Sequence, residues 1–326
     1  MIHHREQHQR LQEKLRRELG LNVLTALRDP DITEVMLNPD GSLWVESQRD
    51  GQLDTGARMS GVQAENLIGT VASMLGTVVN AGSPIVEGEL PLDGNRFEGI
   101  LPPVSTAPVF VIRKRPSVVY TLDDYVTAGI MGPWQAEALR EAIRARQNIV
   151  IAGGTASGKT TLANALIHEM VALGSQSERF VILEDTRELQ CTARNAVQLR
   201  TGDVADLAHL TRVTMRLRPD RIVIGEVRGA EALALLKAWN TGHPGGLTTV
   251  HANSAAAALV RLDALIQEAG VPPQPQLVVE AVDLLVFIAR TPQGRRVRDL
   301  TAVAGCDPTT GYRLESLTSA SKEGFA

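Results

Sequence analysis

Apolar positions along the chain change rhythm several times, and each change predicts an element. Leu11, Leu15 and Leu19 stand four apart among charges, so residues 5–19 predict an amphipathic helix with a narrow apolar stripe. Runs at 32–37 and 43–46 flank Asn38-Pro39-Asp40-Gly41, a turn signature between two strands. Leu67, Ile68, Val71 and Leu75 fall on one face of a helix over 61–75. A turn at Pro91-Leu92-Asp93-Gly94-Asn95 precedes strand-like segments at 96–101 and 109–113. Residues 1–113 therefore predict a small mixed α/β domain. Residues 114–123, with Pro116, read as a linker, and residues 124–326 as a second domain.

In the second domain a helix over 134–146 leads into a strict alternation. Apolar runs at 148–152, 180–184, 196–199, 222–226 and 247–251 are separated by helical stretches at 160–172, 206–217, 230–240 and 254–269. That alternation predicts a mostly parallel sheet covered by helices. Pro272-Pro273-Gln274-Pro275 opens a C-terminal subregion with strand-like 284–289 and 296–303.

Composition narrows the function classes. The most apolar segment, 277–289, is broken by Glu280 and Asp283, short of the roughly twenty apolar residues a membrane helix needs. The first ten residues are polar and His-rich, unlike a secretory signal. His3, His4 and His8 read as a solvated, frayed terminus in preference to a metal site. Cys191 and Cys306 give neither a disulfide framework nor a zinc spacing, which fits a reducing, cytoplasmic setting. A net charge of −4 and 3% aromatic residues argue against a surface that tracks nucleic acid, so no direct nucleic-acid binding is expected.

The chemistry concentrates in Gly153-Gly154-Thr155-Ala156-Ser157-Gly158-Lys159-Thr160, followed by Thr161. A buried strand, this glycine loop and a helix form the context of a phosphate-binding loop for a nucleoside triphosphate. Its amides would meet phosphate oxygens at a helix N-terminus, Lys159 would reach the β- and γ-phosphates of ATP, and the Thr160 hydroxyl would hold Mg²⁺. Three acidic or basic segments follow. The strand 180–184 ends in Glu184-Asp185, where a carboxylate would order Mg²⁺ or the attacking water, or else cap the next helix. The strand after Arg221 ends in Gly225-Glu226; many such enzymes carry Asp at the glycine position, which leaves Glu226 to orient water. His243 lies in a glycine-rich loop and His251 ends a strand, and an imidazole near a phosphate would report the γ-phosphate. In the first domain Arg96 and Arg113 have the right charge for a phosphoryl transition state, although position alone makes them ordinary surface arginines.

Taken together, these segments resemble the secretion ATPase superfamily, the hexameric motors of type II and type IV secretion, pilus assembly and conjugation. Glu184-Asp185-Thr186 resembles its aspartate box, Ile224-Gly225-Glu226-Val227-Arg228 its second nucleotide motif, and Thr241-Gly242-His243-Pro244-Gly245 with Thr249-Val250-His251-Ala252-Asn253 its histidine box. Asp31 to Asn38, Asp93-Gly94-Asn95-Arg96 and Pro102-Pro103 match its N-terminal pattern. The resemblance spans residues 29–303. With two cysteines and a short N-terminal extension, the chain is most similar to the compact conjugal transfer ATPases of the TrbB type.

The resemblance implies a RecA-like phosphate-loop domain behind a smaller PAS-like α/β domain. It also implies a homo-oligomeric, hexameric ring with secretion-channel or pilus-assembly partners, peripheral on the cytoplasmic face of an inner membrane. Lys159, Glu226, Glu184, His251, Arg96 and Arg113 become the catalytic set, with the two arginines contacting the γ-phosphate, and Thr160 and Glu184 become the Mg²⁺ ligands. Three alternatives accompany it: a pilus-assembly ATPase, a nucleotide-dependent scaffold with negligible turnover, and a motor acting on nucleic acid.

Overall fold

The computed structural model describes residues 2–115, 118–202, 204–307 and 309–318, with side chains from residue 9 onward. His3, His4 and His8 therefore lie outside the described side chains. The chain divides into two compact units, Met1–Ser117 and Val118–Ala326.

The first unit opens with helix α1 (Ile2–Arg28), whose backbone is interrupted at Gly20. The stripe found in the sequence turns inward: Leu15, Leu19 and Val23 are buried. They share a core with Ala64, Leu67, Ile68 and Val71 of α2 (Gly61–Leu75). Ser60 caps α2 by accepting the Gln63 amide. Beneath the helices lies an antiparallel sheet of six strands among the described residues. The strands are β1 (Ile32–Leu37), β2 (Ser42–Ser47), β3 (Gly51–Arg58), β4 (Ile85–Glu89), β5 (Arg96–Ile100) and β6 (Val109–Arg113), in the order β3-β2-β1-β6-β5-β4. Alternation assigns Val35, Leu37, Phe97, Phe110 and Ile112 to the core face. The opposite face carries an in-register row, Glu46, Glu34, Arg113, Arg96 and Glu89.

The second unit begins with α3 (Leu122–Thr127), closed by a Thr121–Asp124 capping box, and α4 (Pro133–Arg144), with Pro133 in its first turn. Strand and helix then alternate through β7 (Ile149–Gly153), α5 (Lys159–Leu173), β8 (Phe180–Glu184), β9 (Ala196–Arg200), α6 (Leu207–Thr214), β10 (Arg221–Ile224), α7 (Glu231–Asn240), β11 (Leu247–His251) and α8 (Ala255–Gln267). α9 (Pro275–Ala281) and strands β12 (Leu284–Thr291), β13 (Gly294–Asp307) and β14 (Gly311–Ser316) complete it. The sheet order is β14-β13-β12-β7-β11-β10-β8-β9.

This sheet is mixed, which refines the parallel expectation. From β12 to β9 every pair is parallel, whereas β12-β13 and β13-β14 are antiparallel. The physical reason is connection length. Long connections join the parallel strands, helical except for the loop between β8 and β9, but β12, β13 and β14 follow one another through tight turns, which only antiparallel pairing allows. Period-two alternation divides the core: Ile149, Ile151, Phe180 and Ile182 face α4 and α5. Val150, Ala152, Val181 and Leu183 face α7, α8 and α9. Covered on both faces, the strands have no need of polar positions, which is why they appear as continuous apolar runs.

Candidate nucleotide site

Four neighbouring strands, β7, β11, β10 and β8, bring their C-terminal ends to one sheet edge. At that edge β7 breaks into the glycine loop. A Cβ on Gly153 would lie 2.4 Å from the Ile288 carbonyl oxygen and 2.5 Å from Ser157 Oγ, so only glycine lets the loop close. Gly158 has φ +98° and starts α5 from a left-handed turn. Ala156 also has positive φ, at 56°, a backbone strain of the kind that concentrates at functional loops. Thr155 and Ala156 are exposed, Gly154, Thr160 and Thr161 half-buried, and Ser157 buried.

Lys159 folds back within the loop. Its Nζ donates to the carbonyls of Gly153 and Gly154, each at 3.0 Å, and lies 3.3 Å from His251 Nδ1. Register explains the last contact: His251 pairs directly with Gly153 on the adjacent parallel strand. Lys159 Nζ is also 3.5 Å from His251 Nε2, and that nitrogen is 2.9 Å from Glu226 Oε1. This is an ion-pair distance without hydrogen-bond alignment, because Glu226 Oε1 has no partner of hydrogen-bonding geometry. Partial burial, the main cause, holds the His251 pKa below its ordinary value; Glu226 pulls upward, and Lys159, Arg228 and Arg261 push down. The lowered pKa favours the neutral imidazole, which lies in contact with the Lys159 ammonium and the Glu226 carboxylate.

Glu226 is anchored by its other oxygen, which accepts from Arg228 Nη2 at 2.8 Å. Arg228 also reaches Asp185, at 3.9 Å, and Asp185 accepts the Thr201 hydroxyl at 3.0 Å. The carboxylate of Glu184 is buried, and its Oε1 accepts the amides of Glu188 and Leu189, both at 2.8 Å. It shapes the turn after β8, the capping alternative raised by the sequence, although no helix follows. A Cβ on Gly225 would lie 3.1 Å from Glu184 Cγ. The room an aspartate side chain would take at position 225 is already filled by Glu184.

Not every candidate joins this edge. His243 precedes β11, at the end opposite His251. β11 alone separates the two by about 13 Å, counted at roughly 3.3 Å per residue. The loop holding His243 is tied to the lower edge: the Gly246 amide donates to Asn148 Oδ1, and the Gly245 carbonyl accepts from Arg221. Arg96 and Arg113 lie in the first unit, directly opposite each other on β5 and β6, with Arg113 Nε 2.7 Å from Glu34 Oε1.

Two residues here carried no role in the sequence reading. Arg228 holds Glu226, and the available signal was its spacing, two residues beyond the acid in an extended segment. Asn148 clips three segments together, accepting from Gly246, donating to the Ala281 carbonyl, and giving its own amide to Asp283. Nothing local distinguishes it from any asparagine before a strand.

Known proteins resemble this chain along most of its length. A "Probable conjugal transfer protein TrbB" of Sinorhizobium fredii is 55% identical over 296 residues, covering 91% of this chain and 90% of that protein. A "Conjugal transfer protein TrbB" of Rhizobium radiobacter is 52% identical over 298 residues, covering 91% and 92%. Among solved structures, the pilus retraction motor PilT with bound ADP superposes with a TM-score of 0.63 at 17% identity, covering 93% of this chain and 84% of that one, a likeness of fold. The profile of the type II/IV secretion system protein family matches residues 20–307, and this chain belongs to that family.

Proposed function

We propose that the chain is an ATP-hydrolysing ring motor for type IV secretion or conjugative transfer, acting at the cytoplasmic face of the inner membrane. The observation that carries this reading is the cluster of Lys159, His251 and Glu226 at the phosphate loop, which supports Glu226 as the acid that orients water. The relatives named as conjugal transfer proteins support the biological setting. Among the described residues no helix is long and apolar enough to cross a membrane, so attachment would be peripheral. Secretion-channel or pilus-assembly proteins are the partners this reading calls for.

In this reading the amides from Gly153 to Thr161 hold the phosphates, and Lys159 leaves the loop carbonyls for the β- and γ-phosphate oxygens. Mg²⁺ typically keeps several waters and takes only one or two protein ligands beside phosphate. The Thr160 hydroxyl and a Glu184 carboxylate kept in place by two amides suit that demand. Held there, Mg²⁺ would supply positive charge that offsets the charge developing on the phosphates. Glu226 orients water and takes its proton as the water oxygen bonds to the γ-phosphorus and the bond to the β-bridging oxygen breaks. His251, neutral, passes the presence of the γ-phosphate from Lys159 to Glu226. For Arg96 and Arg113, the family pattern supports a role in stabilising transition-state charge; for the first unit itself, it supports a PAS-like domain closing on the nucleotide in a hexameric ring.

Mg²⁺-dependent ATP hydrolysis per subunit, measured across protein concentrations with Glu226→Gln as control, tests the reading. The expected result is a rate per subunit that rises with concentration and collapses in the variant. ATP binding without turnover at any concentration would replace the motor with a nucleotide-dependent scaffold.

A further inference from the structure

The β12–β13 hairpin carries Arg290, Arg295, Arg296 and Arg298, and the nucleotide chemistry above uses none of them. Arg290 and Arg295 stand directly opposite each other in the antiparallel ladder. Like charges in directly opposed positions destabilise a sheet. Among the described residues neither guanidinium has an acidic partner within ion-pair distance. Two residues inward, Ile288 and Val297 are also paired, and both are buried in the core under α5. By period-two alternation, Arg290 and Arg295 continue that same face past the end of the core, toward the start of α5.

The side chain of Arg295 is already there. A Cβ on Gly158 would lie 3.0 Å from Arg295 Cδ and 3.4 Å from its Nε. The exposed arginine therefore lies over the residue that begins α5 and carries a phosphate-facing amide. β12 flanks β7 on one side, and β11, which ends in His251 beside Glu226, flanks the other. A triphosphate whose γ-end is at Lys159 and Glu226 has a path out of the loop on the β12 side. Its α-phosphate and nucleoside then meet the hairpin.

We propose that Arg290 and Arg295 form the outer half of the nucleotide site, with Arg295 gripping the α-phosphate of bound ATP or ADP and Arg290 reinforcing its charge. The proposal rests on the phosphate-loop reading of the site. An anion between two opposed guanidiniums turns their repulsion into a charge-assisted contact. Since the α-phosphate is present before and after hydrolysis, this grip binds ground state and transition state alike, and removing it raises KM and leaves kcat nearly unchanged.

The test is equilibrium binding of ATP and ADP, with steady-state kinetics, for the full-length protein and its Arg295→Ala, Arg290→Ala/Arg295→Ala, Arg298→Ala and Lys159→Ala variants. Thermal melts check that each is folded. Losing a charged hydrogen bond weakens binding roughly ten- to a hundredfold. That loss is expected for both nucleotides in Arg295→Ala and the double variant, with kcat held and Arg298→Ala behaving as wild type. Wild-type affinity in the Arg295 variants, beside lost binding in Lys159→Ala, would overturn the proposal and leave the site standing. An equal loss in Arg298→Ala would also overturn it, by reducing the effect to net charge. Retained binding in Lys159→Ala would remove the phosphate-loop reading itself.

Discussion

Arg228 donates to Glu226 through a 2.8 Å hydrogen bond and leaves the other carboxylate oxygen turned toward His251. A residue outside the reacting atoms thus sets the direction of the acid. Arg228→Ala frees Glu226 to rotate, and a displacement of about 1 Å costs on the order of a hundredfold in rate. We expect kcat to fall by that order with KM little changed, and Arg228→Lys to restore part of it. Steady-state kinetics on the three proteins decides; an unaltered kcat in Arg228→Ala would show that Glu226 holds its direction alone.

His251 sets a pH dependence of definite sign. Its folded-state pKa lies below the unfolded value of about 6.5, so the unfolded chain takes up this proton first as the pH drops. The contribution to stability is complete above about pH 6.5 and is lost as the pH falls through the lowered folded value. Compared with His251→Asn, the wild type should therefore lose melting temperature below pH 6.5. The acid limb of its kcat profile should lie in the same region and be absent from the variant. Parallel melting curves of the two proteins from pH 7.5 to pH 5 would contradict this.

The lower edge of the sheet holds a buried ion pair, Arg221 Nε to Glu178 Oε2 at 2.9 Å, joined by Arg146 at 2.8 Å from the other Glu178 oxygen. Arg221 also donates to the carbonyls of Gly245 and Ile143. Removing Arg221 leaves the buried Glu178 with Arg146 alone and takes donors from two carbonyls, at a cost of up to about 3–5 kcal/mol. Arg221→Met should shift denaturant unfolding of the second unit by that amount. Arg146→Ala, at a more exposed position, should shift it far less.

Two adjacent glycines make opposite predictions. Gly153→Ala drives a methyl into the Ile288 carbonyl, whereas a methyl on Gly154 meets nothing within 4 Å. Gly153→Ala should abolish nucleotide binding and lower the melting temperature. Gly154→Ala should melt as the wild type does. Equal melting temperatures for Gly153→Ala and wild type would mean that β7 and β12 can separate at that point without cost.

The parts of this molecule visible in its sequence are those in which one physical demand dominates. Strands buried on both faces are mainly apolar, and a loop wrapped on phosphate must be glycine where backbone meets backbone, so β7, β8, β10 and β11 and residues 153–160 stand out. β3 is largely exposed and β14 turns only Tyr312 and Leu314 toward the core, so neither meets such a demand strongly enough to stand out. α9 starts directly at Pro275, and the proline run before it looks like a loop. Site residues failed differently. Strand direction puts His251 at one edge and His243 at the other, though both lie in one motif, and only register brings Arg96 opposite Arg113. A linear sequence carries neither relation in readable form.

The contact between Glu184 and Gly225 couples two strands through one shared volume. An acid can project into that space from β8 or from the end of β10, but not from both. Substituting Gly225 with aspartate alone should fail, and the same change should be accommodated once Glu184 is shortened to alanine. Sequence drift at either position is therefore conditional on the other, and this pair would change together or not at all.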